Sequence, residues 1–373
     1  MKTWKLKPTI FVGSNSFDIF NDIKNKNIFL VSDPFLLDAP HFNDFVSSLK
    51  RANKVELFTH VVPDPPVELV VEGIEKISAF SPDIVIAFGG GSAIDLAKGV
   101  VFMAQQTIDI ELDEFIAIPT TSGTGSEVTN IAVITDNQNH VKYPLADDSM
   151  LPTIAILDYE LTKSAPEAVL VYSGLDVITH ALEALVARDA TPFTDAIAEK
   201  AIEYVFKYLE NSYNKVDDNL SKERMHEASA LAGMAFNAAG LGICHALAHQ
   251  IGGQFKVIHG LANAILLPHI VKFNAENSLE ARAKYADIAR KLNIANYYSN
   301  DENAVHSLTT EIDKLAAALN SPRTLEAAGV DLEHATEVED ELVNNAYKDI
   351  TTAFNPVEVT KDDLRGIYRG IFR

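Results

Sequence analysis

The first half of the chain alternates short apolar segments with helical ones, and this alternation constrains the fold most. Strand-like segments occur at Asn27–Ser32, Lys54–Thr59, Asp83–Phe88, Phe115–Pro119 and Thr153–Leu157, with helical patterns at Val67–Phe80 and Ala93–Gln106. Strands that alternate with helices favour a largely parallel sheet covered by helices on both faces. The pattern therefore predicts an α/β N-terminal domain.

After about residue 166 the strand-like segments stop and helical patterns follow one another. They cover Gly174–Ala187, Phe193–Leu209, Lys222–Ala239, Leu261–Phe273, Leu279–Leu292, Val305–Leu319 and Thr336–Tyr347. A chain of 373 residues is long enough for two domains. We predict an α/β domain over residues 1–165 and an all-α domain over residues 166–373.

The charge and the cysteine content indicate a soluble cytoplasmic protein. The net charge is −21, from 52 acidic and 31 basic residues, which argues against nucleic-acid or anionic-membrane partners. Cys244 is the single cysteine, so no intramolecular disulfide can form. The N-terminal segment lacks the apolar core of a signal peptide, and no apolar run is expected to span a membrane.

Two short apolar segments of the second half bring together residues that bind metals. Asp176 and His180 are four residues apart in G-L-D-V-I-T-H-A-L-E, and His245, His249 and His259 follow within C-H-A-L-A-H-Q-I-G-G-Q-F-K-V-I-H-G. Residues four apart share a helix face, and His259 precedes a helical run, from where it can reach the site from a loop. Imidazole and carboxylate groups suit a divalent ion, and such an ion is a Lewis acid when one coordination position stays open.

A single buried histidine is more often a hydrogen-bonded core residue than a ligand, so the other histidines are expected to be structural or solvated. We expect His269 to be structural and Glu183, three residues after His180, to support the ligands. Polar surroundings predict solvated positions for His41, His60, His140, His226, His306 and His334.

The strand D-I-V-I-A-F runs into Gly89-Gly90-Gly91-Ser92 and then into a helical segment. A glycine turn at a helix N-terminus lets backbone N–H groups approach an anion such as a dinucleotide phosphate. Ser92 with Asp95 also resembles a capping box, with Asp in place of Glu.

Two further features of the first half suit a dinucleotide. The loop T-T-S-G-T-G-S-E-V-T from Thr120 to Thr129 offers hydroxyl groups to phosphates and to a nicotinamide amide. Asp33, at the end of a strand, can accept a hydrogen bond from a ribose 2′-OH and would repel a 2′-phosphate, although a plain Asx turn is the alternative. Lys142 in V-K-Y-P-L offers a further positive charge.

These motifs, in this order, resemble the iron-containing (group III) alcohol dehydrogenases over nearly the whole chain. The resemblance rests on four blocks. They are G-G-G-S-A-I-D-L-A-K, A-I-P-T-T-S-G-T-G-S-E-V-T, G-L-D-V-I-T-H-A-L-E-A and the segment from H-A-L-A-H-Q-I-G-G to I-H-G-L-A-N-A-I-L-L-P-H. Within the family the chain is most similar to the propanol dehydrogenases of propanediol utilisation, through V-K-Y-P-L, A-E-K-A and L-A-G-M-A-F-N-A-A-G-L-G.

The resemblance implies a Rossmann-like N-terminal domain, an all-α C-terminal domain and an active-site cleft between them. It implies Fe²⁺, with Zn²⁺ as an alternative, held by Asp176, His180, His245 and His259. His249 would then be a catalytic non-ligand near the nicotinamide of NAD(H). The implied cofactor-binding residues are Asp33, Gly90, Gly91, Ser92, Asp95, Thr120, Thr121, Thr124, Thr129 and Lys142.

The implied reaction interconverts a small aliphatic aldehyde such as propanal and its primary alcohol, such as 1-propanol. Alternatives are a 1,3-propanediol or butanol dehydrogenase, a dehydroquinate-synthase-like lyase that also uses NAD and a metal, and a non-catalytic metal-binding scaffold. The resemblance further implies a homodimer or larger homo-oligomer in the cytoplasm, with a bacterial microcompartment as an alternative location.

Overall fold

The computed structural model describes residues 7–108, 110–137, 141–215 and 217–373. Within them, the chain divides between Ala165 and Pro166 into two compact units. The first contains a parallel sheet with helices and the second is helical, so the two predicted fold classes are confirmed.

The α/β unit is built on a six-stranded sheet in which every strand pair is parallel. Its strands lie in the order β1-β8-β5-β4-β2-β3, and β6 pairs with β7 as a separate antiparallel hairpin. The strands are β1 (Thr9–Val12), β2 (Asn27–Ser32), β3 (Lys54–Phe58), β4 (Ile84–Gly89), β5 (Glu114–Pro119), β6 (Ile131–Asp136), β7 (Val141–Ala146) and β8 (Ile154–Leu157).

Helices cover both faces of this sheet, because its central strands are apolar on both sides. They are α1 (Pro40–Lys50), α2 (Val67–Phe80) and α3 (Gly91–Thr107). Alternate residues of β2 enter different cores: Phe29 and Val31 pack with α2 and α3 on one face, and Ile28 and Leu30 pack with α1 on the other.

The connections of this sheet reverse direction between β2 and β4, which are neighbours. The chain leaves β2 toward β3 on one side and leaves β4 toward β5 on the other. In open α/β sheets, ligands bind outside the carboxyl ends of the strands at such a switch point. Here β2 is followed by Asp33, and β4 ends at Gly89 and is followed by Gly90 and Gly91.

The helical unit consists of α4 (Glu167–Val186), α5 (Pro192–Asn214), α6 (Asn219–Ala239), α7 (Ile243–Phe255), α8 (His259–Asn277), α9 (Leu279–Lys291), α10 (Asp301–Ala318), α11 (Leu332–Glu337), α12 (Glu339–Lys348) and α13 (Lys361–Gly370). His259 is the first residue of α8 and not part of a preceding loop. The metal-site histidines are therefore carried by helices whose backbones are hydrogen-bonded.

One sequence expectation about a helix was wrong. His226 was expected on the surface but is 2% exposed within α6. By length and composition alone, α4 could cross a membrane, and α6 with α7 would pass as one span bent by 108°. The apolar window of α4 is 78% buried inside the protein, as in a core helix.

Candidate metal centre and nucleotide-binding crevice

A group of metal-binding side chains lies buried among three helices of the helical unit. Asp176 and His180 come from α4 and His245 from α7, and one ligand atom of each lies within 4.8 Å of the others. The Nε2 atoms of His180 and His245 lie 3.8 and 3.7 Å from the Asp176 carboxylate. The four-residue spacing on α4 thus brings both side chains to one point, as predicted.

His259 joins this group from the start of α8. Its Nε2 lies 3.8 Å from Oδ1 of Asp176, and its side chain is 38% exposed, whereas the other three are at most 6% exposed. The rings of His245 and His259 are 5.3 Å apart. Four side chains therefore converge, and the one nearest solvent is His259.

The protonation states of the group fit a divalent ion. Burial would raise the pKa of Asp176, but His180, His259 and His245, with the amide of Asn263, hold it below its ordinary value. Burial lowers the pKa of His245 well below its usual range, which keeps this imidazole neutral. Nδ1 of His180 is buried without a hydrogen-bond partner in the described part of the chain. A carboxylate and neutral imidazoles are the donors that a Zn²⁺- or Fe²⁺-type site uses.

Glu183 supports His245 from behind. Its Oε2 lies 2.6 Å from Nδ1 of His245, and its Oε1 accepts a hydrogen bond from the backbone N–H of Cys244 at 2.7 Å. Burial raises the pKa of Glu183 to about 7. With Nδ1–H donated to this carboxylate, the lone pair of His245 is on Nε2, which faces Asp176. Glu183 was expected to support the ligands. It lies on α4 with His180, and its side chain contacts His245.

His249 has a different partner. Its Nδ1 lies 2.8 Å from Oδ2 of Asp349, which precedes the short 3₁₀ helix Ile350–Phe354. The His249 ring stacks on His259 with centroids 5.4 Å apart, and its side chain is 21% exposed. The sequence did not point to Asp349, because it lies 100 residues from His249 along the chain.

In the α/β unit, Asp33 and the glycine turn meet at the switch point. Oδ2 of Asp33 accepts a hydrogen bond from the backbone N–H of Gly90 at 2.8 Å. A Cβ at Gly89 would overlap this carboxylate, and one at Gly91 would overlap Thr124. The glycines thus allow the close approach of neighbouring segments at the carboxyl ends of β2 and β4.

The hydroxyl-rich loop follows β5, beside the glycine turn. The backbone N–H of Thr120 donates to the Gly89 carbonyl, while its buried Oγ1 has no hydrogen-bond partner among the described residues. The side chain of Thr121 lies near Gly90, and Thr124 is exposed. Ser92 is partly exposed in the first turn of α3.

Two residues predicted to bind the cofactor, Asp95 and Thr129, make hydrogen bonds within the protein. Asp95 accepts hydrogen bonds from the Ser126 hydroxyl at 2.6 Å and from the Val133 N–H at 3.0 Å. Thr129 accepts from the ammonium group of Lys98 at 3.0 Å. The expected capping box is wrong, because Gly90 is the N-cap of α3 and no side chain caps this end.

Lys98 links α3 to the hydroxyl-rich loop through hydrogen bonds, and it was not among the predicted site residues. Its side chain is fully buried and donates to Ser126 Oγ, Thr129 Oγ1 and the Ile131 carbonyl at 2.9, 3.0 and 2.8 Å. Burial lowers its pKa to about 8, despite the opposing effect of Asp95 and Glu127. The available signal was its place in A-I-D-L-A-K, where a lysine follows an aspartate by three residues in a largely apolar helix.

The structure does not describe the side chains of two residues for which the sequence made a prediction, Lys142 and His140. Lys142 pairs with Thr135 through the backbone of the β6–β7 hairpin, and its side chain lies outside the described part of the structure. His140, expected on the surface, lies outside the described residues altogether.

Comparison with known proteins agrees with this arrangement. The family model described as "Iron-containing alcohol dehydrogenase" matches residues 8–159, and the one described as "Fe-containing alcohol dehydrogenase family, C-terminal" matches residues 170–372. A 1-propanol dehydrogenase PduQ of Citrobacter freundii is 42% identical over 95% of this chain and 96% of its own length.

Two further similarities extend over whole chains. An NADPH-dependent butanol dehydrogenase of Clostridium saccharobutylicum is 38% identical, over 100% of this chain and 98% of its own. The crystal structure of a 1,3-propanediol oxidoreductase superposes with a TM-score of 0.90 at 30% identity, covering 100% of both chains. The chain belongs to the iron-containing alcohol dehydrogenase family and is an oxidoreductase of small alcohols or aldehydes.

Proposed function

We propose that this chain is a metal-dependent, NAD(H)-linked alcohol dehydrogenase that works mainly as a reductase of small neutral aldehydes such as propanal. The observation that carries the proposal is the buried group of Asp176, His180 and His245. In the other unit of the chain, two neighbouring strands lead into the carboxylate of Asp33 and into a glycine turn. A chain that has both a metal site and a nucleotide-binding crevice is better suited to a redox reaction than to metal storage.

Asp176, His180, His245 and His259 would together hold one divalent ion. Fe²⁺ is the ion expected from the family, and Zn²⁺ is an alternative occupant because imidazole ligands suit both metals. When bound, the ion supplies Lewis acidity to a carbonyl oxygen, and a reduced nicotinamide supplies hydride. The chain's contribution is to keep His245 neutral through burial and to keep Asp176 ionised through its contacts with neighbouring side chains.

His249 is the residue that we propose to exchange the proton. Asp349 accepts from its Nδ1, so Nε2 is left to give a proton to, or take one from, a substrate oxygen. The contact with Asp349 also holds the imidazole ring of His249 in a fixed orientation. His249 is not assigned to the metal, because a fifth protein ligand would close the position that a substrate needs.

The cofactor would bind at the switch point of the sheet. Asp33 is placed to accept from a ribose hydroxyl, and its charge would repel a 2′-phosphate. Gly90, Gly91 and Ser92 would face the pyrophosphate at the start of α3. The loop residues Thr120, Thr121 and Thr124, with Lys142, would contact the remainder of the dinucleotide. Asp95 and Thr129 would contribute by holding this loop, since their side chains bond within the protein.

The sequence around the metal residues supports a small uncharged substrate. Neither α7 nor residues 259–271 of α8 contain a lysine or an arginine. A carboxylated or phosphorylated aldehyde would find no cation on these segments to offset its loss of hydration. The same observation weighs against a dehydroquinate-synthase-like lyase, whose substrate is an anionic sugar phosphate.

An aldehyde panel with NADH tests this proposal. We expect protein reconstituted with Fe²⁺ to oxidise NADH with propanal and butanal, and metal-free protein to be inactive. Comparison with 3-hydroxypropanal separates a 1,3-propanediol dehydrogenase from a propanol or butanol dehydrogenase. A much higher kcat/KM for a phosphorylated or carboxylated substrate would contradict the substrate class, and full activity without metal would contradict the mechanism.

The assembly and location are also proposals. We propose that residues 1–165 and 166–373 act as two domains, and that the chain forms a homodimer or larger homo-oligomer in the cytoplasm. Light scattering during gel filtration should give a multiple of the chain mass of 40.8 kDa. The similarity to a propanol dehydrogenase supports the alternative of a bacterial microcompartment, which co-purification with isolated shells would test.

A further inference from the structure

The start of α8 packs against α4 so closely that no side chain fits between them. A Cβ atom on Gly260, the second residue of α8, would lie 2.0 Å from the carbonyl oxygen of Tyr172 and 2.7 Å from its carbonyl carbon. Cβ atoms essentially never approach another heavy atom within 3.0 Å. Gly260 is buried, so the two backbones touch at the position where any other residue carries its side chain.

This contact lies beside two of the proposed ligands. Gly260 directly follows His259, and the same Cβ would lie 3.3 Å from the Cβ of Asp176 on α4. The Nε2 of His259 lies 3.8 Å from Oδ1 of Asp176. The spacing of α4 and α8 at Gly260 therefore determines how closely the imidazole of His259 approaches the carboxylate of Asp176.

On the other side of the contact, α4 has no room to retreat. The carbonyl of Tyr172 lies inside α4, where it is the acceptor for the backbone N–H of Asp176. Residues two apart point in nearly opposite directions on a helix, so Gly174 faces away from Asp176. A Cβ on Gly174 would lie 2.2 Å from the side chain of Leu209 on α5. If α4 moved away from α8, it would press against α5.

The start of α8 is the part that can move. In the short connection that precedes it, Ile258 is 52% exposed, and the side chain of His259 is 38% exposed. The first N–H groups of a helix have no partner within the helix, so its first turn can shift while the remaining hydrogen bonds are kept. A side chain at position 260 would therefore push the first turn of α8 outward, together with His259.

We propose that Gly260 is a positioning residue of the metal centre, because its lack of a side chain lets His259 reach the ion that Asp176 binds. This inference rests on the proposed function, since it takes both residues as ligands. Metal–ligand distances are defined to within about 0.2 Å, whereas a Cβ at Gly260 would have to move by about 1 Å to clear the Tyr172 carbonyl. A displacement of that size withdraws His259 and leaves the other three ligands in place.

Replacing Gly260 by alanine tests this role. Alanine is the better helix former, so a helical glycine without a packing role can be replaced without loss. We expect Gly260→Ala protein to bind Co²⁺ about 10–100-fold more weakly than wild type, as measured by competition with a chelator. Gly366→Ala is the matched control, since Gly366 is exposed within α13 and a Cβ there meets no described atom within 4 Å. The control should bind Co²⁺ as wild type does.

The His259→Ala variant distinguishes the positioning of this ligand from a general effect on the fold. If Gly260 acts through His259, Gly260→Ala should weaken Co²⁺ binding in the wild-type background and cause no further loss in the His259→Ala background. The visible spectrum of Co²⁺ bound to Gly260→Ala protein should match that of His259→Ala protein. An equal loss in both backgrounds, or wild-type affinity in Gly260→Ala, would overturn the proposal.

Folding is measured on the metal-free proteins. Metal-free Gly260→Ala should unfold within a few degrees of metal-free wild type, because only the first turn of α8 is displaced. A variant that does not fold would also overturn the proposal, since the glycine would then serve the helical unit as a whole. If wild type itself binds no divalent ion, the proposed function fails together with this inference. If wild type binds Co²⁺ and Gly260→Ala binds it equally well, this inference alone fails.

Discussion

At the scale of single residues, two carboxylates that are not proposed ligands determine which ring nitrogen of His245 and of His249 carries the proton. Glu183 and Asp349 each lie beside an Nδ1 atom, of His245 and His249 respectively. A neutral imidazole that donates from Nδ1 keeps its lone pair on Nε2. His245 directs this lone pair toward Asp176, whereas His249 has a partly exposed ring from which Nε2 can exchange a proton.

Exchanging the two histidines of α7 for alanine should separate their roles. We expect His249→Ala to keep its metal and to lose kcat by about 10²–10⁴-fold, the usual contribution of a general acid–base. His245→Ala should lose both metal and activity. Metal analysis and steady-state kinetics on both variants provide the measurement, and the reverse pattern of metal loss would exchange the two assignments.

Glu183→Gln should weaken metal binding without removing a ligand. Glutamine keeps the size of the side chain but loses the charge that accepts from His245, and supporting partners of this kind contribute about 10–100-fold in affinity. Chelator competition measures the effect, with the exposed Glu276→Gln as the control. Wild-type affinity in Glu183→Gln would mean that the contact with His245 does not support the metal centre.

Asp33→Gly should raise the relative use of NADPH by roughly 1–3 kcal/mol in kcat/KM, the scale of one mismatched polar contact. Asp33→Asn is the informative companion variant, since it removes the charge at constant size. It therefore separates the loss of charge repulsion from the space that glycine opens for the 2′-phosphate. The ratio of kcat/KM for NADH and NADPH is the measurement. An unchanged ratio in both variants would refute the role given to Asp33.

At the scale of elements, the sequence indicated buried strands and long helices well and short or polar elements poorly. β2 and α2 were predicted to the residue, because the first has the apolar centre I-F-L-V and the second shows one apolar face. The hairpin of β6 and β7 was missed, since its strands are partly exposed and β7 includes Pro144, which is uncommon within a strand. β1 was missed because only four residues pair with β8.

Lys98 joins α3 to the hydroxyl-rich loop and to the first residue of β6. Lys98→Met should destabilise the α/β unit by about 3–5 kcal/mol, because it leaves the buried Asp95 carboxylate without its cation. It should also raise KM for NADH more than it lowers kcat, since the loop loses its support. Urea unfolding and NADH kinetics test this, with the exposed Lys50→Met as the control. A stability equal to that of the control would contradict the argument.

At the scale of the whole molecule, the sequence predicted the residues of the metal centre but not most of their contacts with residues remote along the chain. The D-x-x-x-H and H-x-x-x-H spacings predict that Asp176 pairs with His180 and His245 with His249, because one helical turn brings such pairs to one face. Their partners are remote along the chain: Glu183 lies 62 residues from His245, and Asn263 lies 87 from Asp176. Only the packing of α4, α7 and α8 brings them together.

This packing predicts that the metal and the nucleotide stabilise different parts of the chain. A ligand that binds only the folded state stabilises it by about 4 kcal/mol when present at a thousand times its Kd. The proposed metal residues lie on α4, α7 and α8, so removing the ion from loaded protein should increase hydrogen exchange in these helices. Residues 7–108 and 110–137 should change little.

Adding NADH should have the complementary effect, protecting the backbone amides of residues 89–92 and 120–129. Hydrogen exchange followed by mass spectrometry measures both responses in the full-length protein. The His245→Ala protein is the control, because it should show no response to the chelator while still responding to NADH. A loss of protection spread evenly over both units after metal removal would mean that the ion stabilises the chain as one cooperative body, and would contradict the division into two domains.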